Sequence, residues 1–163
     1  IALDANSNIF IGGYTGSSTA LATPGSHQLS FGGGTRDGFL AKFNNIGVRQ
    51  WGTYYGGSGA DDINDIATAS NGDIYAVGRT DSNSGVSTPG SHLLTFGGGT
   101  YDVFLVKFNT SGVRQWGTYF GNSGDDRGAG SACGQNPAEQ YGCHRGTAGA
   151  SACVLSGAAV EAD

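Results

Sequence analysis

The chain contains no methionine, three prolines, three cysteines and only eight lysines and arginines among its 163 residues. So few basic residues, against 13 aspartates and glutamates, give a net charge of −5 and provide no basic surface that could neutralise phosphates. We therefore expect no nucleic-acid partner. No apolar run approaches the roughly 20 residues of a membrane-spanning helix, so we also predict no membrane span.

The cysteines all fall beyond residue 130, at Cys133, Cys143 and Cys153. Their regular spacing matches no zinc-binding pattern, and three thiols form at most one internal disulfide. The remainder of the chain has no cysteine and therefore gives no indication of its redox compartment.

Glycine, in contrast, is abundant, with 31 residues, which favours short strands joined by tight turns. The main feature is an internal repeat: residues 47–56 return at 112–121 with one change, Tyr55 to Phe120. The segments Pro24–His27 and Phe31–Thr35 recur at the same offset of 65 residues. A fixed period of this kind is typical of an architecture in which each copy is one supersecondary unit.

Each copy contains four short strand candidates and no helical periodicity. They are 1–3, 9–14, 37–43 and 48–55 in the first copy, and 65–69, 74–79, 102–108 and 113–120 in the second. Apolar side chains on both faces of these strands indicate sheets packed between neighbouring sheets. The sequence thus predicts an all-β fold with two four-stranded antiparallel β-propeller blades, residues 1–65 and 66–127, and an irregular tail, 128–163.

The order of the repeated motifs resembles the SBBP family of bacterial β-propeller repeats. It runs Phe-Gly-Gly-Gly-Thr, Asp, Phe-Leu, Lys-Phe-Asn, Gly-Val-Arg-Gln-Trp-Gly-Thr-Tyr, then Gly, Ser-Gly and Asp, across residues 1 to about 127. The resemblance implies a propeller, often of seven blades, in large secreted or surface proteins of Bacteroidetes and other bacteria. It implies no catalytic residue.

The two ends of the chain lead to a further expectation. The chain starts at Ile1 within a predicted strand, and the period stops after residue 127, which together predict a fragment of a larger propeller. For residues 128–163 three interpretations remain open: a slipped reading frame or junction, which we favour, a disordered tail, and a metal or disulfide module.

Four aspartates in the repeats are candidate calcium ligands. Asp61 and Asp62, echoed by Asp125 and Asp126, could offer carboxylate oxygens to Ca²⁺ at a blade junction. Their spacing lacks the pattern of known calcium loops, so we favour carboxylates that accept backbone N–H bonds in turns, with no bound cofactor.

Two histidines and two tryptophans are candidate ligand contacts. His27 and His92 occupy equivalent places in the long loops, and such repetition favours a hydrogen-bonding role over a catalytic one. Trp51 and Trp116 could stack on sugar rings if exposed, although core packing is the commoner role of half-buried tryptophan.

We therefore predict a non-catalytic structural or interaction module of an extracellular or cell-surface bacterial propeller. Its partners are neighbouring blades, another copy of itself, or an unidentified protein or glycan held by the loops 16–30 and 81–95. The alternative is a glycan-binding lectin in which two-blade chains assemble into a closed ring.

Overall fold

The computed structural model describes residues 1–128 and residue 130, which form two antiparallel sheets. The first sheet contains strands β1 (Ala2–Leu3), β2 (Ile9–Thr15), β3 (Asp37–Phe43) and β4 (Arg49–Tyr55). The second contains β5 (Asp61–Thr68), β6 (Ile74–Thr80), β7 (Asp102–Phe108) and β8 (Arg114–Phe120). The predicted tail beyond residue 130, with its three cysteines, lies outside the described residues.

In both sheets each strand pairs with the next in the chain, in the orders β1-β2-β3-β4 and β5-β6-β7-β8. All pairings are antiparallel, and the two sheets have equivalent registers: Leu40 pairs with Thr53 just as Leu105 pairs with Thr118. The predicted all-β fold of two four-stranded antiparallel sheets is confirmed. No helix in the described part of the chain is long and apolar enough to cross a membrane.

The tight turns between β3 and β4, and between β7 and β8, are held by asparagine. Asn44 Oδ1 accepts hydrogen bonds from the backbone N–H groups of Ile46 and Val48, at 3.2 and 2.8 Å. Gly47 adopts a φ of 80°, in the left-handed region that favours glycine. Asn109 makes the same bonds in the second sheet, which explains why this turn recurs in both repeats.

The boundary between the sheets lies earlier than the sequence predicted. We placed the first strand of the second unit at residues 65–69, whereas β5 begins at Asp61 and pairs with β6 along its length. The register shifts between Ile63 and Asp65, which marks a β-bulge. Because the bulge breaks the alternation of apolar and polar residues, the first half of this strand resembled a turn.

The long loops run along the outer edge of each sheet. The Thr23 N–H donates to the Gly52 carbonyl at 2.9 Å, and the Tyr54 N–H donates to the Gln28 carbonyl at 3.1 Å. The second loop makes the same two bonds to β8. These loops therefore occupy hydrogen-bonding groups on β4 and β8 that would otherwise be free to pair with another chain.

The two sheets pack face to face and share one core. We call the side of the first sheet that carries Phe10, Leu40, Trp51 and Tyr55 its front face; it packs on β5 and on the back face of the second sheet. The residues of that back face are almost fully buried: Ile74, Ala76, Phe104, Val106 and Phe108.

Ile63 and Ile66 of β5 fill space left by two glycines. A Cβ on Gly12 would lie 2.8 Å from Ile66 Cγ2 and 2.9 Å from Ile63 Cγ2, and a Cβ on Gly38 would lie 3.2 Å from Ile63 Cγ1. β5 can approach the first sheet closely only because Gly12 and Gly38 have no side chains.

The outward surfaces of the two sheets remain open. On the front face of the second sheet, Leu105 is 37% exposed and Phe120 62%, whereas their equivalents Leu40 and Tyr55 are fully buried. Burial therefore differs sharply between residues of the same type at the same place in the repeat.

This difference predicts unequal costs for equal truncations. Leu40→Ala should lower the free energy of unfolding by about 2–5 kcal/mol, because it leaves a cavity between the sheets. Leu105→Ala should cost about 1 kcal/mol, because much of that side chain already contacts water. Denaturant unfolding of dilute protein measures both, and equal losses would contradict the packing described here.

Candidate functional site at the blade junction

Trp51 joins the two sheets at one end of their interface. Its ring is 8% exposed, and its Nε1–H donates to the Thr110 carbonyl in the turn between β7 and β8, at 3.1 Å. The ring also packs at 6.1 Å from the Phe10 ring, between centroids. Trp51 therefore belongs to the core, the commoner role that the sequence analysis weighed against sugar stacking.

Beside Trp51 opens a polar cavity of about 490 Å³. Both sheets contribute to its walls, which include Asn8, Ser26, Lys42, Gln50, Trp51 and Thr110. Lys42 Nζ donates to Thr110 Oγ1 at 3.1 Å and lies 3.9 Å from Asp4 Oδ2. Ser26 Oγ is buried and has no hydrogen-bond partner among the described residues. A cavity with these donors and acceptors can accommodate a small polar molecule.

The glycine-rich loops form a second cluster, at the opposite ends of the strands from the tight turns. Residues 32–34 lie directly on residues 57–59, so closely that a Cβ on Gly33 would stand 3.1 Å from Ser58 Cα. Asp37 Oδ2 accepts the Gly32 N–H at 2.5 Å, and Asp61 Oδ2 accepts the Gly57 N–H at 2.9 Å. Asp61 thus fixes a turn, as the turn interpretation of the acidic residues predicted.

Asp62 lies between two arginines from different sheets. Its carboxylate accepts hydrogen bonds from Arg36 of the first repeat and from Arg79 of β6, the latter at 2.6 Å. Burial on its own would raise the pKa of Asp62, but the two guanidinium groups outweigh burial and lower that pKa. The Arg79 guanidinium also lies over the Tyr101 ring, 4.6 Å from its centroid, and makes a cation–π contact there.

The second pair of acidic candidates is more exposed. Asp125 pairs with Arg127 at 2.8 Å, and Asp126 Oδ2 accepts the Asn122 N–H at 3.0 Å. Within the described ranges no group of three or more histidines, cysteines or acidic residues converges to hold a metal. Calcium binding by Asp61, Asp62, Asp125 or Asp126 stays a prediction.

The two histidines occupy different environments despite equivalent positions. The His27 ring packs between Tyr55 and Phe108, with centroids 5.9 and 5.8 Å away, whereas His92 is exposed beside Phe120. The hydrogen-bonding role expected of these loop histidines stays a prediction, and the structure places the His27 ring against two aromatic rings of the core. Burial, assisted by the nearby Arg114 charge, lowers the pKa of His27 to about 4.

The structure does not bring the four predicted ligand contacts together. Trp51 borders the cavity, His27 lies inside the interface, Trp116 is half-buried on the open face of the second sheet, and His92 is exposed. Lys42, Gln50 and Thr110, which also line the cavity, were not predicted from the sequence. Their only signal was the recurrence of Lys-Phe-Asn and Arg-Gln-Trp, which gave no hint that a turn of the second repeat closes the cavity.

Two four-stranded antiparallel meanders, stacked face to face with short tight turns, define a pair of β-propeller blades. Residues 50–85, from β4 to the loop after β6, match the SBBP family, described as a β-propeller repeat. Residues 50–85 are thus similar to an SBBP repeat, and over this range the resemblance given by the motifs is confirmed. A search of curated proteins finds no match.

The environment of His27 predicts a dependence of stability on pH. Its folded pKa of about 4 lies below the ordinary 6.5, so between these values the unfolded chain binds more protons and the free energy of unfolding rises with pH. Replacement of His27 by glutamine should reduce the slope of the free energy of unfolding against pH by the contribution of about one proton per chain.

The measurement is the melting temperature of wild type, His27→Gln and His92→Gln from pH 4 to 7. The difference between variants isolates His27 from Asp37, Asp61 and Asp102, whose raised pKa values produce a slope of opposite sign. Identical profiles for wild type and His27→Gln would contradict the assignment, and His92→Gln should follow the wild type.

Proposed function

We propose that this chain is a non-catalytic binding and structural module whose two open sheet faces bind further blades of the same kind. The observation that supports the proposal most strongly is the mismatch in burial between equivalent faces. The described residues contain one complete blade interface and the two separate halves of another.

The first half is the front face of the second sheet. Its apolar residues repeat those that the first sheet buries, but no sheet among residues 1–128 covers them: Tyr75, Leu105, Trp116 and Phe120. The second half is the back face of the first sheet, where Ile9, Ile11, Phe39 and Phe43 are only partly buried. Their equivalents in the second sheet, Ile74, Ala76, Phe104 and Phe108, form the core between the blades.

The chain itself begins to cover the open front face. Gly128 occupies the position equivalent to Ile63, and a Cβ there would lie 2.7 Å from Val77 Cγ2 and 2.8 Å from Val103 Cγ1. Val77 and Val103 replace the glycines at 12 and 38 that receive Ile63. At the first junction a large residue, Ile63, packs on two glycines, whereas here a glycine, Gly128, packs on two valines. The front face of the second sheet can therefore pack against a following strand as the first sheet packs against β5.

The two open faces differ from each other, so contact between copies would be head to tail. Leu105→Lys places a charge on one face and Ile11→Lys on the other, and each variant keeps one intact face. We expect wild type to associate, each variant alone to be monomeric, and an equimolar mixture to form a dimer that cannot extend.

Light scattering coupled to size exclusion measures these masses. Leu29→Lys, an exposed loop residue outside both faces, is the matched control and should associate as wild type does. A monomeric wild type, or a mixture that remains monomeric, would refute the proposed binding of blades.

The place of action that we propose, a secreted or cell-surface bacterial protein, is supported by the SBBP repeat together with an acidic, lysine-poor and arginine-poor composition. Fractionation of bacterial cells that express the natural gene, followed by immunodetection of this chain, tests it. Recovery in the cytoplasmic fraction alone would count against it.

A second candidate function, glycan binding, is favoured by the polar cavity beside Trp51. The cavity combines an indole, an ammonium group and the amide and hydroxyl groups of Gln50 and Thr110, the mixture of groups that recognises sugars. Trp51 is a poor probe of this function because its truncation would also damage the core. Gln50 is exposed and can be changed without disturbing the sheet.

If the cavity binds glycans, Gln50→Ala should weaken binding by roughly tenfold, the effect of about 1.4 kcal/mol from one hydrogen-bonding side chain. Gln115 occupies the equivalent place in the second sheet and makes the same bond to its neighbour, but it does not border the cavity. Gln115→Ala should therefore bind as wild type does. Glycan-array screening followed by calorimetry measures both, and equal binding by both variants would exclude this cavity.

A further inference from the structure

Each repeat brings two aspartates to the glycine-rich loops. Asp37 begins β3 and Asp61 begins β5; Asp102 and Asp126 are their equivalents 65 residues later. In all four, Oδ2 accepts a backbone N–H bond from a loop, that of Asp102 from Gly97 at 2.5 Å. Such bonds favour the ionised carboxylate.

In three of these carboxylates the second oxygen has no hydrogen-bond partner in the described part of the chain. Asp37, Asp61 and Asp102 are fully buried, and their Oδ1 atoms have no hydrogen-bond partner among the described residues. None of the ion pairs in that part of the chain involves any of the four aspartates. A buried carboxylate that has no counter-ion, and one oxygen that accepts no hydrogen bond, is costly, so these Oδ1 atoms are available to bind a ligand.

The two carboxylates of a repeat face each other across a glycine. A Cβ on Gly121 would lie 2.7 Å from Asp102 Oδ1 and 2.8 Å from Asp126 Oδ2, so both oxygens border the space that a side chain would fill. In the first repeat, a Cβ on Gly56 would meet Asp61 Oδ2, and a Cβ on Gly32 would meet both the Gly57 carbonyl oxygen and Asp37 Oδ2. Burial, and to a smaller extent the Asp37 charge, raise the pKa of Asp61, which agrees with two neighbouring carboxylates. Burial, and then the Asp126 charge, raise the pKa of Asp102, which agrees with two negative groups in one small space.

We propose that the pairs Asp37–Asp61 and Asp102–Asp126 each bind one Ca²⁺ ion. Backbone carbonyls, such as that of Gly57, and water complete the oxygen shell. A proton would neutralise only one carboxylate of each pair, whereas a divalent cation neutralises both. Ca²⁺ accepts an irregular set of carboxylate, carbonyl and water oxygens, while Mg²⁺ requires a near-ideal octahedron.

This ligand set differs from the one that spacing alone suggested. Asp62 is already neutralised by Arg36 and Arg79, and Asp125 is partly exposed and paired with Arg127. Asp37 and Asp102 take their place because strand pairing brings β3 and β7 beside the loops that end in Asp61 and Asp126.

The first test is calorimetric titration of the chelator-treated full chain with CaCl2, with MgCl2 for comparison. We expect two Ca²⁺ ions per chain, weaker binding of Mg²⁺, and a rise in melting temperature of about 3 °C or more in excess Ca²⁺. A wild-type chain that binds no Ca²⁺, or that melts at the same temperature with Ca²⁺ and with chelator, would overturn the proposal.

Substitutions then locate the ions. Asp37→Asn keeps an oxygen for the Gly32 N–H and should leave one Ca²⁺ bound; Asp37→Asn with Asp102→Asn should leave none. Asp125→Asn is the control and should retain both. Circular dichroism in chelator identifies variants that have unfolded, and because Asn relieves repulsion the folded variants should be at least as stable as wild type there. Two ions bound to a folded double variant, or loss of binding in Asp125→Asn, would overturn the assignment.

Discussion

The packing of Ile63 and Ile66 into the space above Gly12 and Gly38 is the contact on which the two sheets depend. A four-stranded meander has two faces and cannot bury both alone. Glycine at these two positions lets β5 approach the first sheet closely, and Phe10, Leu40 and Tyr55 then close around Phe104 and Phe108. The junction cavity and the Asp62 ion pairs exist only because this contact sets the spacing between the sheets.

The glycine-rich loops impose a second constraint, at the ends of the strands. Backbone lies directly on backbone between residues 32–34 and 57–59, and aspartates supply the acceptors that the loop N–H groups need. The Phe-Gly-Gly-Gly-Thr segment and the aspartates at 37 and 61 of the repeat motif all have a place in these contacts. The motif is therefore first of all a packing arrangement of backbone on backbone.

Much of the fold could be predicted from the sequence because strand and turn signals are local. The limits of β3 and β7 agree with those predicted, and the tight turns follow from Asn44 and Asn109. The start of β5 was not predicted because its β-bulge interrupts the alternation of apolar and polar residues that identifies a strand. The candidate sites were harder to predict, because Thr110 meets Trp51 from 59 residues away and Asp102 faces Asp126 only through strand pairing. Those contacts depend on tertiary geometry, which spacing along the chain does not encode.

The central claim is that the two blades share one core and unfold together. Native-state hydrogen exchange of the full chain tests it directly, with the slowest amides of β3 and of β7 compared at increasing denaturant. The shared core predicts that both sets converge on one free energy of opening and one denaturant slope, as expected for a single cooperative unit. Exchange of the β3 amides through a separate opening of lower free energy, with β7 still protected, would show that the blades are independent and would contradict the account.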